Sequence, residues 1–434
     1  MSRPASVFAS DLRLTPYWWE RTPRPEIHEE PLPDAIDVLI IGSGFTGLSA
    51  GLETARGGRK TLIIDAETVG FGCSTRNGGQ ISTSVKPGFT ALARRVGAER
   101  AAGIITEGKN SLAWVGDFVA REGIDCDFRV GGRFHAAHNP RRYAMLARRI
   151  AAGPRELRAE AELVPRSEQR REIGTDAYFG GVLYTRHASI DPGRFHQGML
   201  EGVLAAGAKV AARCPATAIS RERHGFRIAT ARGVIAAREV VVATNGYTGG
   251  LTPWLRRRAI PIGSYIIATE PIGSETMARL MPGNRIVSDT RKVVYYYRTS
   301  PDGRRVLFGG RVSLHETDAK VSGPLLHVEM VRIFPELASI RITHSWSGFI
   351  AYSFDELMHI GRHDGIWYAM GYCGSGVGMA GYLGMRLGQQ VLGREEGRTA
   401  FDDVGFETRP FYHGNPWFLA PSVMYYRWRD RFGR

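Results

Sequence analysis

Residues 37–65, DVLIIGSGFTGLSAGLETARGGRKTLIID, decide the fold. They run from an apolar strand through a glycine-rich turn into an amphipathic helix and a second strand, which together make one βαβ unit. The turn carries Gly42, Gly44 and Gly47 at Gly-x-Gly-x-x-Gly spacing, and Asp65 ends the second strand. Backbone without Cβ atoms can approach a pyrophosphate at a helix N-terminus, and the terminal carboxylate can accept hydrogen bonds from ribose. The unit therefore predicts a dinucleotide site.

That motif does not choose between NAD and FAD, but residues 70–80, GFGCSTRNGGQ, favour the flavin. This glycine-rich segment directly follows the ribose acid and is more elaborate than a surface turn needs. Ser74, Thr75 and Arg76 offer donors to phosphate, while Gly78 and Gly79 let backbone pass close to a flat ring. We therefore expect the segment to wrap the second half of FAD.

Two later segments complete a recognisable pattern, namely 238–251, REVVVATNGYTGGL, and 371–380, GYCGSGVGMA. Together with residues 37–80, they resemble the D-amino acid oxidase (DAO) superfamily of FAD-dependent oxidoreductases, and within it the γ-glutamylputrescine oxidoreductase-like group. The resemblance spans residues 37–393. It implies an α/β plus α+β architecture, with a Rossmann-type FAD-binding domain and an antiparallel-sheet substrate domain covering the flavin, as in the glutathione-reductase-like FAD fold.

On this basis we divide the chain into four parts. Residues 1–36 contain several prolines together with Trp18 and Trp19, so we expect an extended surface arm with docked aromatics. The remaining parts are a discontinuous FAD-binding domain, a substrate domain and a C-terminal tail. Their predicted ranges are 37–125 with 190–250 and 345–395, then 126–189 with 251–344, and finally 396–434.

The residues that the resemblance assigns to non-covalent FAD binding come from glycine loops and strand ends. They are Gly42, Ser43, Gly44, Phe45, Thr46, Gly47, Asp65, Ala66, Gly72, Ser74, Thr75, Arg76, Asn77, Gly78, Gly79, Gln80, Ala216, Ala243, Thr244, Gly371, Gly374, Ser375, Gly376, Val377, Gly378 and Met379. The loop at 371–378 opens a helix, and its N–H groups and helix dipole can stabilise the negative charge of reduced flavin.

Three departures from the family pattern change what the resemblance implies. Ser375 stands where similar proteins often have histidine, so a histidine effect on the flavin is not carried over. Gly348 stands where relatives with covalently attached flavin have cysteine, so we expect non-covalent FAD. Ile350 stands where relatives acting on simple α-amino acids have an arginine that clamps the substrate carboxylate. This shifts the expected substrate towards a larger amine or an N-substituted amino compound.

Aromatic residues supply the candidates on the substrate side. On a strand, Tyr296 and Arg298 share one face while Tyr295 and Tyr297 share the other, and one face is suited to roof the flavin. The same pattern also fits plain core packing. An apolar cage suits an amine that gives up hydride, and the catalytic candidates are Tyr296, Trp346, Tyr265 and Phe349.

Two arginines are ambiguous at this level. Arg133 and Arg311 can each bind an anionic group of the substrate or form a structural ion pair, and in so arginine-rich a chain the ion pair is favoured.

The function that follows is FAD-dependent oxidation of the carbon–nitrogen bond of a small-molecule amine. Hydride passes to flavin N5, and the resulting imine hydrolyses. The electron acceptor is either oxygen or a quinone or other carrier. The alternatives are a D-amino acid dehydrogenase or oxidase, an RNA-modifying flavoprotein and a structural flavoprotein without catalysis.

Composition narrows the class further. The 434 residues suffice for two domains, and 43% are hydrophobic, as in ordinary globular proteins. The net charge of +14 is spread along the chain without a basic strip, so we expect no nucleic-acid partner. Because no apolar run of transmembrane length or signal peptide occurs, we expect a cytoplasmic protein. We predict no metal, and the sequence does not indicate the oligomeric state.

Overall fold

The computed structural model describes residues 6–432 of the chain, and two large sheets dominate this part. In chain order, its strands are β1 (Phe8–Arg13), β2 (Ala35–Ile41), β3 (Thr61–Ile64), β4 (Gln80–Ile81), β5 (Arg133–Ala136), β6 (Ala161–Val164), β7 (Gly181–Tyr184), β8 (Ala188–Ser189), β9 (Lys209–Ala211), β10 (Ala216–Glu222), β11 (Gly225–Thr230), β12 (Gly233–Val242), β13 (Ile260–Thr269), β14 (Ile286–Asp289), β15 (Tyr295–Thr299), β16 (Val306–Gly310), β17 (Ile342–Tyr352), β18 (His359–His363) and β19 (Ile366–Met370).

Helices cover both sheets and connect their strands. They are α1 (Tyr17–Arg21), α2 (Phe45–Arg56), α3 (Phe89–Val96), α4 (Ala98–Arg121), α5 (Pro140–Ala151), α6 (Pro192–Ala205), α7 (Pro253–Arg256), α8 (Ser274–Leu280), α9 (Ala319–Ile333), α10 (Gly376–Val391) and α11 (Leu419–Phe432). Within residues 6–432, no helix combines the length and apolar composition needed to cross a bilayer.

The eight-stranded sheet forms the dinucleotide-binding part. Strands β9, β3, β2, β12 and β19 lie side by side in parallel, and β10 and β11 extend β12 as an antiparallel ribbon. The last four residues of β2 and all four of β3 are buried, which explains their continuous apolar sequence. Helices α2, α4, α6 and α10 share one hydrophobic core on this sheet. The predicted Rossmann-type domain is confirmed.

The nine-stranded sheet has the order β1-β17-β13-β16-β15-β14-β5-β7-β6 and is mostly antiparallel. Two pairs are parallel, β1 with β17 and β14 with β5, so the sheet is mixed rather than purely antiparallel. One face packs against α8 and α9 in the second hydrophobic core. The opposite face turns towards the glycine loops of the dinucleotide-binding part.

Two of the predicted boundaries need correction because strand pairing crosses them, and the predicted C-terminal tail contacts the substrate part. Residues 1–36 are not only an extended arm, since β1 joins the nine-stranded sheet through β17. The boundary at residue 345 falls inside β17, which pairs continuously with β13 and belongs to the substrate sheet as far as Tyr352. The tail ends in α11, whose Asp430 carboxylate accepts hydrogen bonds from the backbone of Lys292 and Val293 at 3.0 and 3.1 Å. The docked aromatics of the arm are as expected, because Trp18 is fully buried.

Candidate functional site

The three glycines of the first loop each occupy a place where a side chain does not fit. Gly42 has φ +111°, and a Cβ there would lie 2.9 Å from the carbonyl oxygen of Ala243. A Cβ on Gly44 would lie 2.8 Å from the Ser74 hydroxyl, and one on Gly47 would lie 1.9 Å from the carbonyl oxygen of Gly42. The loop therefore closes tightly on itself and leaves its backbone open at the start of α2.

Asp65 lies at the end of β3 beside this loop, as predicted. Its carboxylate accepts hydrogen bonds from the Ser43 backbone N–H at 2.8 Å and from the Ser43 hydroxyl at 2.5 Å. The Asp65 backbone forms hydrogen bonds with Ala211 and Cys214. These two residues lie just before Ala216, the first residue of β10, so Ala216 is held near Asp65. Ala243 and Thr244 follow β12 directly next to the loop. The predicted adenosine-side residues are thus brought together, and Ala66 lies exposed beside Asp65.

Residues 70–80 fold back on the protein, and most of their side chains are held by it. Thr75 is buried and donates to the carbonyl of Gly70 at 2.6 Å, while Arg76 donates to the carbonyls of Phe71 and Ser347. The expectation that Thr75 and Arg76 donate to phosphate is therefore corrected, because both side chains support the loop.

Other side chains of this segment stabilise its turn. The Asn77 amide donates to the carbonyls of Cys73 and Ser74, and its oxygen accepts from the Gly79 N–H at 2.8 Å. Gln80 donates to the carbonyls of Val287 and Tyr297 in the nine-stranded sheet. Ser74 accepts from the Phe45 N–H at 2.9 Å. What the segment offers to a ligand is mainly backbone, including that of Gly72, Gly78 and Gly79.

The loop at 371–378 contains the N-terminus of α10, which is the second helix N-terminus of the site. It contacts the start of α2, where the loop at 42–47 ends. Gly371 and Gly374 have positive φ values of 78° and 91°, and Ser375 is the N-cap residue of α10. The Tyr372 hydroxyl is 2.6 Å from the Thr46 hydroxyl, which ties the start of α10 to the start of α2. Behind the loop, Gly384 of α10 lies so close to Thr46 that a Cβ there would be 2.4 Å from its carbonyl oxygen. Because Gly384 lies in the middle of α10, α2 begins beside the middle of α10, and the two helices run parallel from there.

This arrangement fits FAD on structural grounds. Neither α2 nor α10 has a side-chain cap at its N-cap residue or an acidic residue in its first turn, so both present positive helix ends. Glycine loops keep side chains away from the space in front of them. The side chains of Phe45, Val377 and Met379 point into the core, and Gly376 and Gly378 begin α10, so these residues contribute backbone. The Ser375 hydroxyl donates to the carbonyl of Ser84 at 2.7 Å.

A buried histidine that the sequence did not single out supports the first loop. His196 of α6 is fully buried, and its Nε2 lies 2.8 Å from the carbonyl of Ser43, which requires a proton on Nε2. Its Nδ1 has no hydrogen-bond partner. Burial, and secondarily the positive charge of Arg24, lowers the pKa of His196 to about 3. The imidazole therefore stays neutral and holds the loop by one donated hydrogen bond.

On the substrate side, Tyr296 and Arg298 share the face that meets residues 78–79, as predicted. A Cβ on Gly78 would lie 3.0 Å from the Tyr296 ring, and the Tyr296 hydroxyl is 2.8 Å from that of Ser264. Arg298 is buried and donates to the carbonyls of Gly79 and Ile190 at 3.0 and 2.8 Å. Burial raises the pKa of the Tyr296 phenol above its ordinary value. Tyr296 is thus a neutral group that contacts the predicted flavin-side loop.

Strand β17 contributes a second row to the same face. Trp346 is buried and donates to the Arg76 carbonyl at 2.9 Å, while Gly348 would place a Cβ 3.1 Å from the Cβ of Arg76. Strand alternation puts Ile350 and Tyr352 on this face as well. The Tyr352 hydroxyl lies 3.8 Å from the Cβ position of Gly374, so the row spans both flavin-side loops.

Two of the four catalytic candidates lie elsewhere. Tyr265 is fully buried on the opposite face of β13, where its hydroxyl donates to the Glu316 carboxylate at 2.8 Å and accepts from the Thr317 N–H at 3.0 Å. Its prediction as a site residue is wrong, because strand alternation turns it into the core against α9. Phe349 alternates away from Trp346 and packs edge-on against Tyr247, with ring centroids 5.7 Å apart, at the rim.

The structure separates the two ambiguous arginines. Arg311 forms an ion pair with Glu316 at 2.8 Å and donates to the carbonyl of Gly263, so it is structural. Arg133 lies on the flavin-facing side of β5 and donates to the Ser84 hydroxyl at 3.3 Å. Lys86 follows Ser84 by two residues in the chain, and its Nζ lies 3.5 Å from the carbonyl oxygen of Cys373. No sequence pattern indicated Lys86, because only folding brings residues 82–86 against the loop at 371–378.

Known proteins with similar sequences and folds agree with this geometry. Residues 37–390 match the family described as DAO: FAD dependent oxidoreductase. The chain is 30% identical over 407 residues to gamma-glutamylputrescine oxidoreductase of Escherichia coli, covering 92% of this chain and 93% of that protein. It is also 30% identical over 429 residues to a probable oxidoreductase, OrdL, of Rhizobium meliloti, covering 96% and 97%. The crystal structure of glycine oxidase from Geobacillus kaustophilus shares the fold, with a TM-score of 0.73, 18% identity and coverage of 87% and 99%.

Proposed function

Since the chain belongs to the DAO family of FAD-dependent oxidoreductases, we propose that it oxidises a carbon–nitrogen bond of an amine or N-substituted amino compound. The observation that carries this proposal is the position of Tyr296, which lies on the sheet face turned towards the glycine loops and contacts Gly78 there. Bound FAD would accept the hydride there. The name of the E. coli relative, a gamma-glutamylputrescine oxidoreductase, supports an amine as the donor.

The chain's own residues position the amine and keep the space dry. Trp346 packs in one apolar cluster with Ile266, Leu307 and Trp18, and Tyr296 packs against this cluster. Exclusion of water and fixed orientation are the main contributions that such a site makes to hydride transfer. Burial in this apolar space lowers the pKa of a bound ammonium group. The surroundings therefore favour the neutral amine, from which hydride can leave.

The absence of an arginine at position 350 makes a simple amino acid a poor substrate. Ile350 stands on β17 opposite Ile262, on the same face as Trp346 and Gly348. A free α-carboxylate placed there would meet an apolar side chain instead of a guanidinium. We therefore favour an amine whose anionic group, if it has one, lies away from the oxidised carbon.

Anaerobic titration of the FAD-loaded enzyme is the test. The yellow protein is mixed with polyamines, N-acylated diamines, N-methyl amino acids and D-amino acids, and flavin bleaching is followed. We expect bleaching by one of the amine classes. Bleaching only by free D-amino acids would contradict our interpretation of Ile350, and bleaching by none would indicate a flavoprotein without amine oxidation.

The electron acceptor, partners and location are part of the same proposal. Readmission of air after bleaching distinguishes an oxidase, which reoxidises rapidly with formation of peroxide, from a dehydrogenase that needs a quinone or carrier. We propose no nucleic-acid partner, and binding of tRNA at moderate salt would contradict this. A cytoplasmic location is consistent with the four cysteines, Cys73, Cys126, Cys214 and Cys373, which are all free thiols.

A further inference from the structure

A group of basic side chains lies beside the substrate space on the flavin-facing side of the nine-stranded sheet. We call Lys86, Arg133 and Arg149 the basic cluster. We propose that it binds an anionic group of the substrate, such as a carboxylate, distant from the nitrogen that is oxidised, and that Arg133 makes the direct contact. This inference rests on the proposed function and adds the substrate's second functional group.

The contacts of Arg133 leave its charge without a partner. One terminal nitrogen donates to the Ser84 hydroxyl at 3.3 Å, and the guanidinium lies 5.0 Å from the centroid of the Tyr184 ring. Its Nε is buried and has no hydrogen-bond partner. Burial lowers the pKa of Arg133 to about 10, so the group remains charged at neutral pH. A half-buried cation with an unused donor is costly unless an anion completes it.

The neighbouring charges reinforce Arg133 instead of compensating it. Arg149 of α5 acts on it with the same sign, and among residues 6–431 no carboxylate forms an ion pair with Arg133 or Lys86. His135 and His187 also face this space. Burial and the nearby arginines keep the pKa of His135 well below its ordinary value, and burial lowers that of His187 to about 2. Both imidazoles are therefore uncharged at neutral pH, so they neither add to the positive charge of the cluster nor compensate it.

One acid does lie near the cluster. Glu356 influences Lys86 from a distance, after the stronger effect of Tyr352, and makes no ion pair with it in residues 6–431. Arg133 thus has a positive neighbour and no ion-pair partner in residues 6–431, in contrast to a structural ion pair such as Arg311 with Glu316. An anionic ligand would gain from all three basic side chains.

Two hydrogen bonds connect Arg133 to the predicted flavin loop. The Ser84 hydroxyl accepts from Arg133, and the Ser84 carbonyl accepts from the hydroxyl of Ser375, the N-cap residue of α10. Across the sheet, Tyr296 lies opposite Ser288, and Ser288 lies opposite His135 on β5. His135 is thus two strand spacings, or about 10 Å, from Tyr296, and Arg133 lies two residues from His135 along β5 on the same face. A ligand oxidised near Tyr296 would reach Arg133 only with a group several bonds away from its reacting carbon.

The experiment compares two substrates that differ only in the distal charge. The FAD-loaded enzyme is mixed anaerobically with N-(4-aminobutyl)succinamic acid or with its methyl ester, and apparent Kd values are taken from the dependence of the flavin bleaching rate on substrate concentration. For the unmodified enzyme, we expect the acid to bind about tenfold more tightly or better. Arg133→Gln is expected to weaken the acid about tenfold while changing the ester less than about threefold.

Two variants control for charge and folding. Arg133→Lys keeps the charge and is expected to retain part of the preference for the acid. Arg148→Gln removes an exposed arginine next to Arg149 in α5 and is expected to leave both Kd values unchanged. The flavin absorbance spectrum and melting midpoint of each variant show whether FAD and fold are intact. If Arg133→Gln does not fold, Arg149→Gln is used and is expected to weaken only the acid.

The outcomes separate this inference from the proposed function. If both compounds bleach the flavin with equal Kd values, the anion site is refuted and amine oxidation stands. If neither compound bleaches it, glutarate is titrated as a carboxylate probe, and its binding is followed by the change in flavin absorbance. Glutarate binding that Arg133→Gln weakens about tenfold supports the site even then, and glutarate binding that Arg133→Gln does not change, or no glutarate binding, refutes it.

Discussion

The glycine loops and the sheet face that opposes them use their side chains in opposite ways. In the loops, the side chains of Thr75, Arg76 and Asn77 are bound to the protein itself, so a ligand meets backbone. On the sheet face, the Tyr296 hydroxyl bonds to Ser264 and one Arg133 nitrogen bonds to Ser84, but the Nε of Arg133 has no hydrogen-bond partner. We infer that the loops are suited to a constant ligand, FAD, whereas the side chains of the sheet face select a variable ligand, the substrate. A backbone cradle changes little when side chains change, but a side-chain surface is easily altered.

The largest effect is expected where the cradle itself is broken. Gly47→Ala places a Cβ 1.9 Å from the Gly42 carbonyl oxygen, and neither backbone segment can move away without separating β2 from α2. We expect loss of bound FAD and destabilisation by about 3 kcal/mol or more. The ratio of absorbance at the flavin band to that of the protein measures the first effect, and denaturant unfolding measures the second.

A matched glycine makes this result specific. Gly249→Ala adds the same methyl group where no atom lies within 4 Å, so FAD content and stability are expected to stay unchanged. If Gly47→Ala retained full flavin content, the loop at 42–47 would not be the pyrophosphate site.

A medium effect is expected from the pH dependence of the cradle. The pKa of His196 is lowered to about 3 in the folded protein from its ordinary value near 6.5, so the unfolded state binds a proton first. Its contribution to stability is complete above about pH 6.5 and falls by up to about 1.4 kcal/mol per pH unit on acidification. His196→Gln can still donate to the Ser43 carbonyl but does not titrate, so we expect a flatter stability profile between about pH 6.5 and 4.5.

Urea unfolding at a series of pH values measures this slope. His224→Gln, at an exposed position, is the matched control and should leave the slope as it is in the unmodified protein. An unchanged slope in His196→Gln would mean that folding does not lower the pKa of His196.

The smallest effects distinguish the two faces of the substrate sheet. Tyr265→Phe removes hydrogen bonds to Glu316 and Thr317 in the core, so we expect a loss of about 1–2 kcal/mol of stability with unchanged turnover. Tyr296→Phe removes the hydroxyl from the ligand space, so we expect about a tenfold lower kcat/KM with little change in stability. Steady-state kinetics and thermal melting of both variants measure these changes. If Tyr265 contacts the substrate, Tyr265→Phe will lower kcat/KM, which contradicts the prediction.

How far the sequence predicted the site depended on the range of the interactions. Gly42, Gly44 and Gly47 were predictable because their roles follow from contacts within one βαβ unit. Arg76 was assigned to phosphate because its guanidinium is a good anion donor, yet Ser347 and Phe71 bind it instead. Ser347 is 271 residues away from Arg76 in the chain, so no local sequence pattern indicates this contact. The same is true of β1, whose partner strand is β17.

By itself, the sequence determined the Rossmann-type unit, the FAD loops and the alternation of Tyr295, Tyr296 and Tyr297 on their strand, because spacing and glycine geometry are local properties. Only the tertiary structure decided which face of each strand meets the loops. It turned Tyr265 into the core, paired Arg311 with Glu316 and left Arg133 without a carboxylate. The physical reason is that a side chain's charge and burial depend on what packs against it. Across the two sheets, those neighbours come from distant parts of the chain.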